Sequence, residues 1–297
     1  MEKKRNLEFF IVALSQLKGI GRTRIKNVLE AMNAPRECSL FDLIVAGVKQ
    51  NIFSRSMPIG AFEDALKKAE RIFEQCEEND IHILSAYAPE FPKALNFDDG
   101  PQLIYYKGDL SILSTPKRAA VIGTRVPSEA GDAFAFECGR LLAENDFTVI
   151  SGLAAGCDTA AHRGCLQAAG KTVAFLPCNL INITPAAQAP LAEDILQAGG
   201  CLISEYSPFD TPSAYMFIER DRLQAGSAQF VITSEFDKGS GTLHTLTFAD
   251  RYARPIYTLD AIAQNEAIDG FRSLEDEGIA YQALSKVAME ALIQAEK

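Results

Sequence analysis

Between residues 119 and 259 six short apolar runs alternate with five stretches of helical periodicity, and no other pattern in the chain limits the fold as tightly. Apolar runs without a polar alternation suit strands buried on both faces, and strands that alternate with helices make a parallel sheet covered on both sides. Strands are expected near 119–123, 147–151, 172–176, 201–204, 229–233 and 255–259, with helices near 128–145, 156–169, 187–198, 215–225 and 241–252. The expected fold class is therefore α/β, a Rossmann-like doubly wound parallel sheet.

In the first unit Ala119-Ala120-Val121-Ile122 breaks at Gly123, and Thr124-Arg125 leads into a helix that Ser128 can cap. A strand end that feeds a helix N-terminus offers backbone N–H groups to an anion. Two glycine loops occupy equivalent positions further on. The first runs Ser151-Gly152-Leu153-Ala154-Ala155-Gly156-Cys157-Asp158, and the second Lys238-Gly239-Ser240-Gly241-Thr242. Small residues before a helix let a phosphate approach the amides without meeting a Cβ. Neither loop is a G-x-G-x-x-G fingerprint or a Walker A loop, and glycine also serves such connections for steric reasons alone. Two of them at one sheet edge, with Arg125 beside them, mark that edge as a candidate site.

Phe217-Ile218-Glu219-Arg220-Asp221-Arg222 falls in an expected helix. Arg220 and Arg222 diverge there by about 200°, so one faces the pocket and the other makes a structural ion pair. His162 follows Asp158 by one helical turn, a spacing expected to give a structural Asp–His hydrogen bond, and His244 stands just inside the helix after the second loop. No nucleophile has a base beside it and no carboxylate cluster suggests a metal, so neither catalytic residues nor a cofactor is expected.

Ahead of this core, residues 7–33 read as two short helices around LKGIGRTRIKNVLE, with Gly19-x-Gly21 permitting a tight turn. That pattern fits a helix-hairpin-helix gripping a phosphate and equally a plain αα-hairpin. Helical pieces FDLIVAG and FEDALKKAERIFEQCEEN follow, then Ile81–Leu84 and Leu103–Lys107 as strands that extend the sheet. After residue 260 only a loop, the charged stretch RSLEDEG and a short final helix are expected. The expected domains are a helical segment over 1–78, a core over 79–280 and a C-terminal helix over 281–297.

No apolar run approaches the roughly 20 residues that cross a bilayer, and charge interrupts the N-terminus too often for a signal peptide, so a cytoplasmic protein is expected. Seven cysteines with no C-x-x-C pair suggest small core residues rather than disulfides or zinc ligands. A formal charge of −10 argues against non-specific coating of nucleic acid. Residues 1–26 nevertheless set Lys3, Lys4, Arg5, Lys18, Arg22, Arg24 and Lys26 against only Glu2 and Glu8.

Five ordered motifs carry a resemblance. They are Gly123-Thr124-Arg125-x-x-Ser128-x-x-Gly131, Ser151-Gly152-Leu153-Ala154-x-Gly156-x-Asp158-x-x-Ala161-His162, Ile203-Ser204-Glu205-Tyr206, Phe217-x-x-Arg220-x-Arg222, and Ser240-Gly241-Thr242-Leu243-x-Thr245. Together they resemble the DNA-processing protein A family, also called DprA or Smf, over about 80–280, and the start of the chain is similar to that family's small all-α, helix-hairpin-helix or SAM-like domain. The resemblance implies a non-enzymatic protein that binds single-stranded DNA in a pocket of the core, forms a homodimer and acts with RecA recombinase in DNA uptake or recombination. Phosphate contacts are then expected from Gly123, Thr124, Arg125, Ser151, Gly152, Gly156, Arg220 or Arg222, Gly239, Ser240, Gly241 and Thr242. Departures from the family pattern are Pro177-Cys178-Asn179-Leu180-Ile181, Asp221 between the two arginines where asparagine is usual, and Leu259-Asp260 in place of proline-glycine. The alternatives are a nucleotide-binding sensor of the same fold and a LOG-type nucleoside monophosphate phosphoribohydrolase. The second glycine loop is similar to the latter's, but His244 and Thr245 stand where those hydrolases carry acids.

Overall fold

The structure, a computed structural model, describes residues 5–33, 37–53, 58–265 and 268–295. Its main feature is a nine-stranded, mostly parallel sheet. The six expected core strands are β5 (Arg118–Ile122), β6 (Thr148–Ser151), β7 (Thr172–Leu176), β8 (Cys201–Ser204), β9 (Phe230–Thr233) and β10 (Ile256–Leu259), preceded in the chain by β1 to β4 as given below. Every residue of β6, β7, β8 and β9 is buried, as is β5 after Arg118, which is why these strands read as unbroken apolar runs. Helices α5 (Glu129–Glu144), α6 (Cys157–Gln167), α7 (Ala189–Gln197), α8 (Ala214–Ser227) and α9 (Gly241–Arg251) connect them, close to the expected spans.

The strand order β8-β7-β6-β5-β9-β10 carries the functional information. From β5 the chain steps outward through β6 and β7 to β8, then returns to lay β9 against the other side of β5, with Ala119 opposite Phe230 and Val121 opposite Ile232. The carboxyl ends of β5 and β9 therefore flank a topological switch point, where the two loops diverge and leave a crevice.

The short pairing of β1 (Arg5–Asn6) with β2 (Glu37–Cys38) lies where only helices were expected, and within the nine-stranded sheet one strand was not expected. β11 (Gln282–Leu284) pairs in parallel with β10, Tyr257 opposite Gln282, where only a terminal helix was anticipated. Three largely exposed residues on a sheet edge carry no apolar run, so the sequence offers no signal for them. The final helix, α12 (Lys286–Ala295), starts after this strand and buries Met289 and Ile293 in the same cluster as Val121, Leu142 and Phe147. Between β10 and β11 lie α10 (Asp260–Ala263) and α11 (Gly270–Glu277), the latter containing the charged stretch RSLEDE, for which no helix was expected.

By its contacts the chain separates into two compact units, one of Met1–Phe91, Pro101–Tyr105 and Glu205–Phe209, the other of Pro92–Gly100, Tyr106–Ser204 and Asp210–Lys297. The smaller contains α1 (Leu7–Ser15), α2 (Arg22–Ala31), α3 (Leu40–Lys49) and α4 (Ile59–Glu78), with a two-residue antiparallel pairing of β1 (Arg5–Asn6) with β2 (Glu37–Cys38), and β3 (His82–Ser85). The remaining strand, β4 (Leu103–Gly108), completes the sheet order β11-β10-β9-β5-β6-β7-β8-β4-β3. Asn6 caps α1 by accepting from the Phe9 amide at 3.2 Å, and α1 buries Phe9, Phe10, Val12 and Leu14. Gly19 takes a φ of +81° at the turn before α2, a conformation that few side chains tolerate. The six cysteines whose side chains are described are free and buried. Among the described residues no helix is long and apolar enough to cross a membrane.

Candidate functional site

A cavity of about 380 Å³ opens at the switch point. Its walls come from the end of β5 (Ile122 to Arg125), the loop before α6 (Ala154, Asp158), the inner face of α8 (Arg220, Asp221, Gln224) and the start of α9 (Ser240 to Thr245). The turn after β5 is held from β9: the Thr124 amide donates to the Glu235 carbonyl at 2.6 Å, and the Glu235 carboxylate accepts from the Ser128 amide at 2.7 Å and the Ser128 hydroxyl at 2.5 Å. Ser128 in turn caps α5 through the Gly131 amide. Glu235 had not been anticipated as part of this edge, because its partners lie more than a hundred residues earlier in the chain.

Arg125 stands exposed at the mouth, its guanidinium 5.4 Å from the centre of the Phe217 ring. That cation–π contact orients a charge that solvent, and a ligand, can still reach. Arg220 is different. It is 5% exposed, and one terminal nitrogen donates to the carbonyls of Gly152 at 2.6 Å and Phe175 at 2.9 Å. Its Nε lies 3.1 Å from the Asp221 carboxylate. Arg220 therefore clamps the ends of β6 and β7 at the floor of the cavity, with its charge set beside Asp221 and Asp158. Arg222 lies outside the cavity wall, 1% exposed, with Nη1 donating to the Glu219 carbonyl at 3.1 Å. Arg220 thus lines the cavity, although it too is ion-paired, and Arg222 makes the structural ion pair, its Nε 3.6 Å from the Glu219 carboxylate.

The first glycine loop serves construction. Asp158 accepts from the amides of Gly152 at 3.1 Å and Ala154 at 3.3 Å, so these N–H groups already hold a carboxylate. The Ser151 hydroxyl donates to the Val121 carbonyl. A Cβ on Gly152 would lie 1.6 Å from the Arg220 guanidinium, and Gly156, at φ +77°, backs onto the Thr124 carbonyl. The expected Asp158–His162 hydrogen bond is absent: His162 Nδ1 meets the Thr172 hydroxyl at 2.7 Å, because Asp158 turns back to cap its own loop while His162 faces β7. Burial, with Arg220 nearby, pushes His162 down to about 3, so it stays neutral.

The second loop is more open. Gly239 and Gly241 have no atom within 4 Å of a would-be Cβ, and the buried Ser240 hydroxyl has no protein partner. Gly241 and Thr242 begin α9, so their amides have no intrahelical acceptor and the helix dipole favours an anion beside them. Of the twelve residues expected to contact phosphate, Gly123, Thr124, Arg125, Arg220, Ser240, Gly241 and Thr242 line the cavity, while Ser151, Gly152, Gly156, Arg222 and Gly239 do not.

Two acids share this space. Burial raises Asp158, offset by Arg220 and the loop amides. Asp221, 6% exposed, is pushed up to about 7 by burial, with Arg220 pulling the other way. Gln224, one turn along α8, also lines the wall and had not been singled out from the sequence. Among the described residues no group of three or more His, Cys, Asp or Glu side chains could hold a metal ion.

A mostly parallel sheet with a cavity at its switch point, walled by a helix N-terminus and an exposed arginine, defines a Rossmann-like α/β class of protein. The model of the DNA recombination-mediator protein A family matches residues 65–293, and the chain belongs to that family. DNA processing protein DprA of Streptococcus pneumoniae is 36% identical over 61% of this chain and 63% of its own length. Protein Smf of Synechocystis is 28% identical over 84% of this chain and 63% of its own length. The chain thus spans a little under two thirds of these curated relatives. An X-ray structure of DNA processing protein A from Streptococcus pneumoniae superposes with a TM-score of 0.75 at 28% identity, covering 96% of both chains. A structure of the Helicobacter pylori protein, described for its single-stranded DNA binding mode, gives 0.63 at 28% identity over 73% of this chain and 95% of that one.

Proposed function

We propose that this protein binds single-stranded DNA at the mouth of the strand-end cavity, without catalysis, and serves recombination or DNA uptake as a homodimer acting with RecA recombinase. The observation that carries the reading is Arg125, exposed and held against Phe217 beside the first amides of α9. A guanidinium and a helix N-terminus suit consecutive phosphates, and a neighbouring aromatic face suits a base. The family membership and the Helicobacter pylori relative support the choice of nucleic acid over other anions. One feature favours a second reading: the acidic floor formed by Asp158 and Asp221 suits a single nucleotide held in the cavity better than a phosphodiester passing through it. Fluorescence anisotropy with labelled oligo-dT tests the first. Arg125→Ala should weaken binding by about 1–3 kcal/mol, the scale of a charge-assisted hydrogen bond, with the melting temperature unchanged. Equal binding by a folded variant would move the site elsewhere.

A further inference from the structure

The floor of the cavity is chemically unlike its mouth. One terminal nitrogen of Arg220 is taken by two backbone carbonyls and its Nε lies against Asp221, and beside this guanidinium the floor offers a ligand the Asp221 carboxylate and the side-chain amide of Gln224. Gln224 is 2% exposed; its Oε1 accepts from the Thr245 hydroxyl at 3.4 Å, and its Nε2 has no partner although it is buried. An unmet buried donor is costly, and a ligand that supplies an acceptor relieves it. Gly152 makes room for this amide, since a Cβ there would lie 2.5 Å from Nε2.

Asp221 and Gln224 are three residues apart on α8, which sets their side chains side by side at about 5–6 Å. The floor therefore sets the Asp221 carboxylate, one oxygen of which Arg220 Nε also approaches at 3.1 Å, next to a donor N–H. Among the four bases only guanine offers the complement on one edge: N1–H and the N2 amino group for a carboxylate, and O6 for an amide. Thymine sets carbonyls on both sides of its single N–H, against which an ionised carboxylate is repulsive, and cytosine and adenine each offer one donor group. Phosphate is disfavoured on the same floor because a second acid, Asp158, lines the cavity with Asp221.

We propose that the cavity reads a nucleobase edge, with guanine preferred, through Asp221 and Gln224, while phosphates stay at the mouth near Arg125. This rests on the single-stranded DNA reading above and adds a base preference to it. The carboxyl of Asp221 is faced by Arg220 on its own helix, Asp158 on α6, Arg125 on the turn after β5 and His244 on α9, and it is pushed up to about 7, so the preference belongs to the alkaline side of neutrality.

The test compares, at about pH 8, oligo-dT with strands carrying one central dG, dI, dA or dC, by competition anisotropy, and adds calorimetry with dGMP and dTMP. The dG strand should bind about tenfold more tightly than the dT or dI strand, inosine lacking the N2 amino group. Asp221→Asn, and separately Gln224→Leu, should bring the dG and dT strands to within about twofold of each other. The inosine comparison needs no variant, so misfolding of either mutant leaves the test intact. Equal affinity for dG, dI and dT strands by wild-type protein overturns the base preference and leaves strand binding standing. Failure of every strand with dGMP still preferred over dTMP overturns strand binding and keeps the guanine site. Failure of every strand and of both mononucleotides overturns both.

Discussion

Asp221 shows how far a single residue departs from what its neighbours suggest. Between two arginines it looks like a solvated ion pair, yet it is buried, and burial rather than Arg220 sets the direction of its shift, upward to about 7. An unfolded aspartate ionises near 3.9, so between about pH 4 and 7 the folded state keeps a proton that the unfolded state has lost. Stability should therefore fall as pH rises through that window, by up to about 1.4 kcal/mol per pH unit from this group. Asp221→Asn should flatten the slope, with the gain in melting temperature larger at about pH 8 than at about pH 5, as thermal unfolding at the two pH values would show. A second residue-level test concerns Gly152, where Ala would put a Cβ 1.6 Å from Arg220 and force the clamp out of place. Gly152→Ala should cost several kcal/mol, on the order of breaking a buried charged pair, and chemical denaturation would measure it. The angular separation of Arg220 and Arg222 could be read from the sequence. The fate of Arg220's charge could not, because its acceptors, Gly152 and Phe175, are 68 and 45 residues away.

The loops after β5 and β6 keep their place in the site because the helices behind them are held fast. α5 and α6 cross at glycines: a Cβ on Gly139 would meet the Ala161 carbonyl at 2.1 Å, and one on Gly164 the Phe136 carbonyl at 1.9 Å. Backbone packed on backbone cannot give as a side chain does. Gly164→Ala should accordingly destabilise by about 1–3 kcal/mol or more, although alanine is the better helix former, and a shifted urea midpoint would register it. The six core strands and five helices announce themselves in the sequence because burial on both faces leaves apolar runs. β11 did not, since an exposed edge strand of three residues needs no such run. The Glu235 brace was equally hidden, being a contact between loops that meet only when β9 is laid beside β5.

At the scale of the molecule, the proposed binding of single-stranded DNA by a chain with a net charge of −10 has to be confined to a small surface. Arg125 and the start of α9 can neutralise only about two to four phosphates, and each contributes near −0.7 to the log–log salt slope of a single strand. The basic residues of positions 1–26 would add a steeper dependence if they carried the affinity; Lys3 and Lys4 lie outside the described residues. Titrating labelled oligo-dT across a range of salt concentrations therefore distinguishes a site in the cavity mouth from a basic patch elsewhere. Saturable binding with a slope of about −1 to −3 is the predicted result, and either no saturable binding at low salt or a slope steeper than about −5 would contradict it.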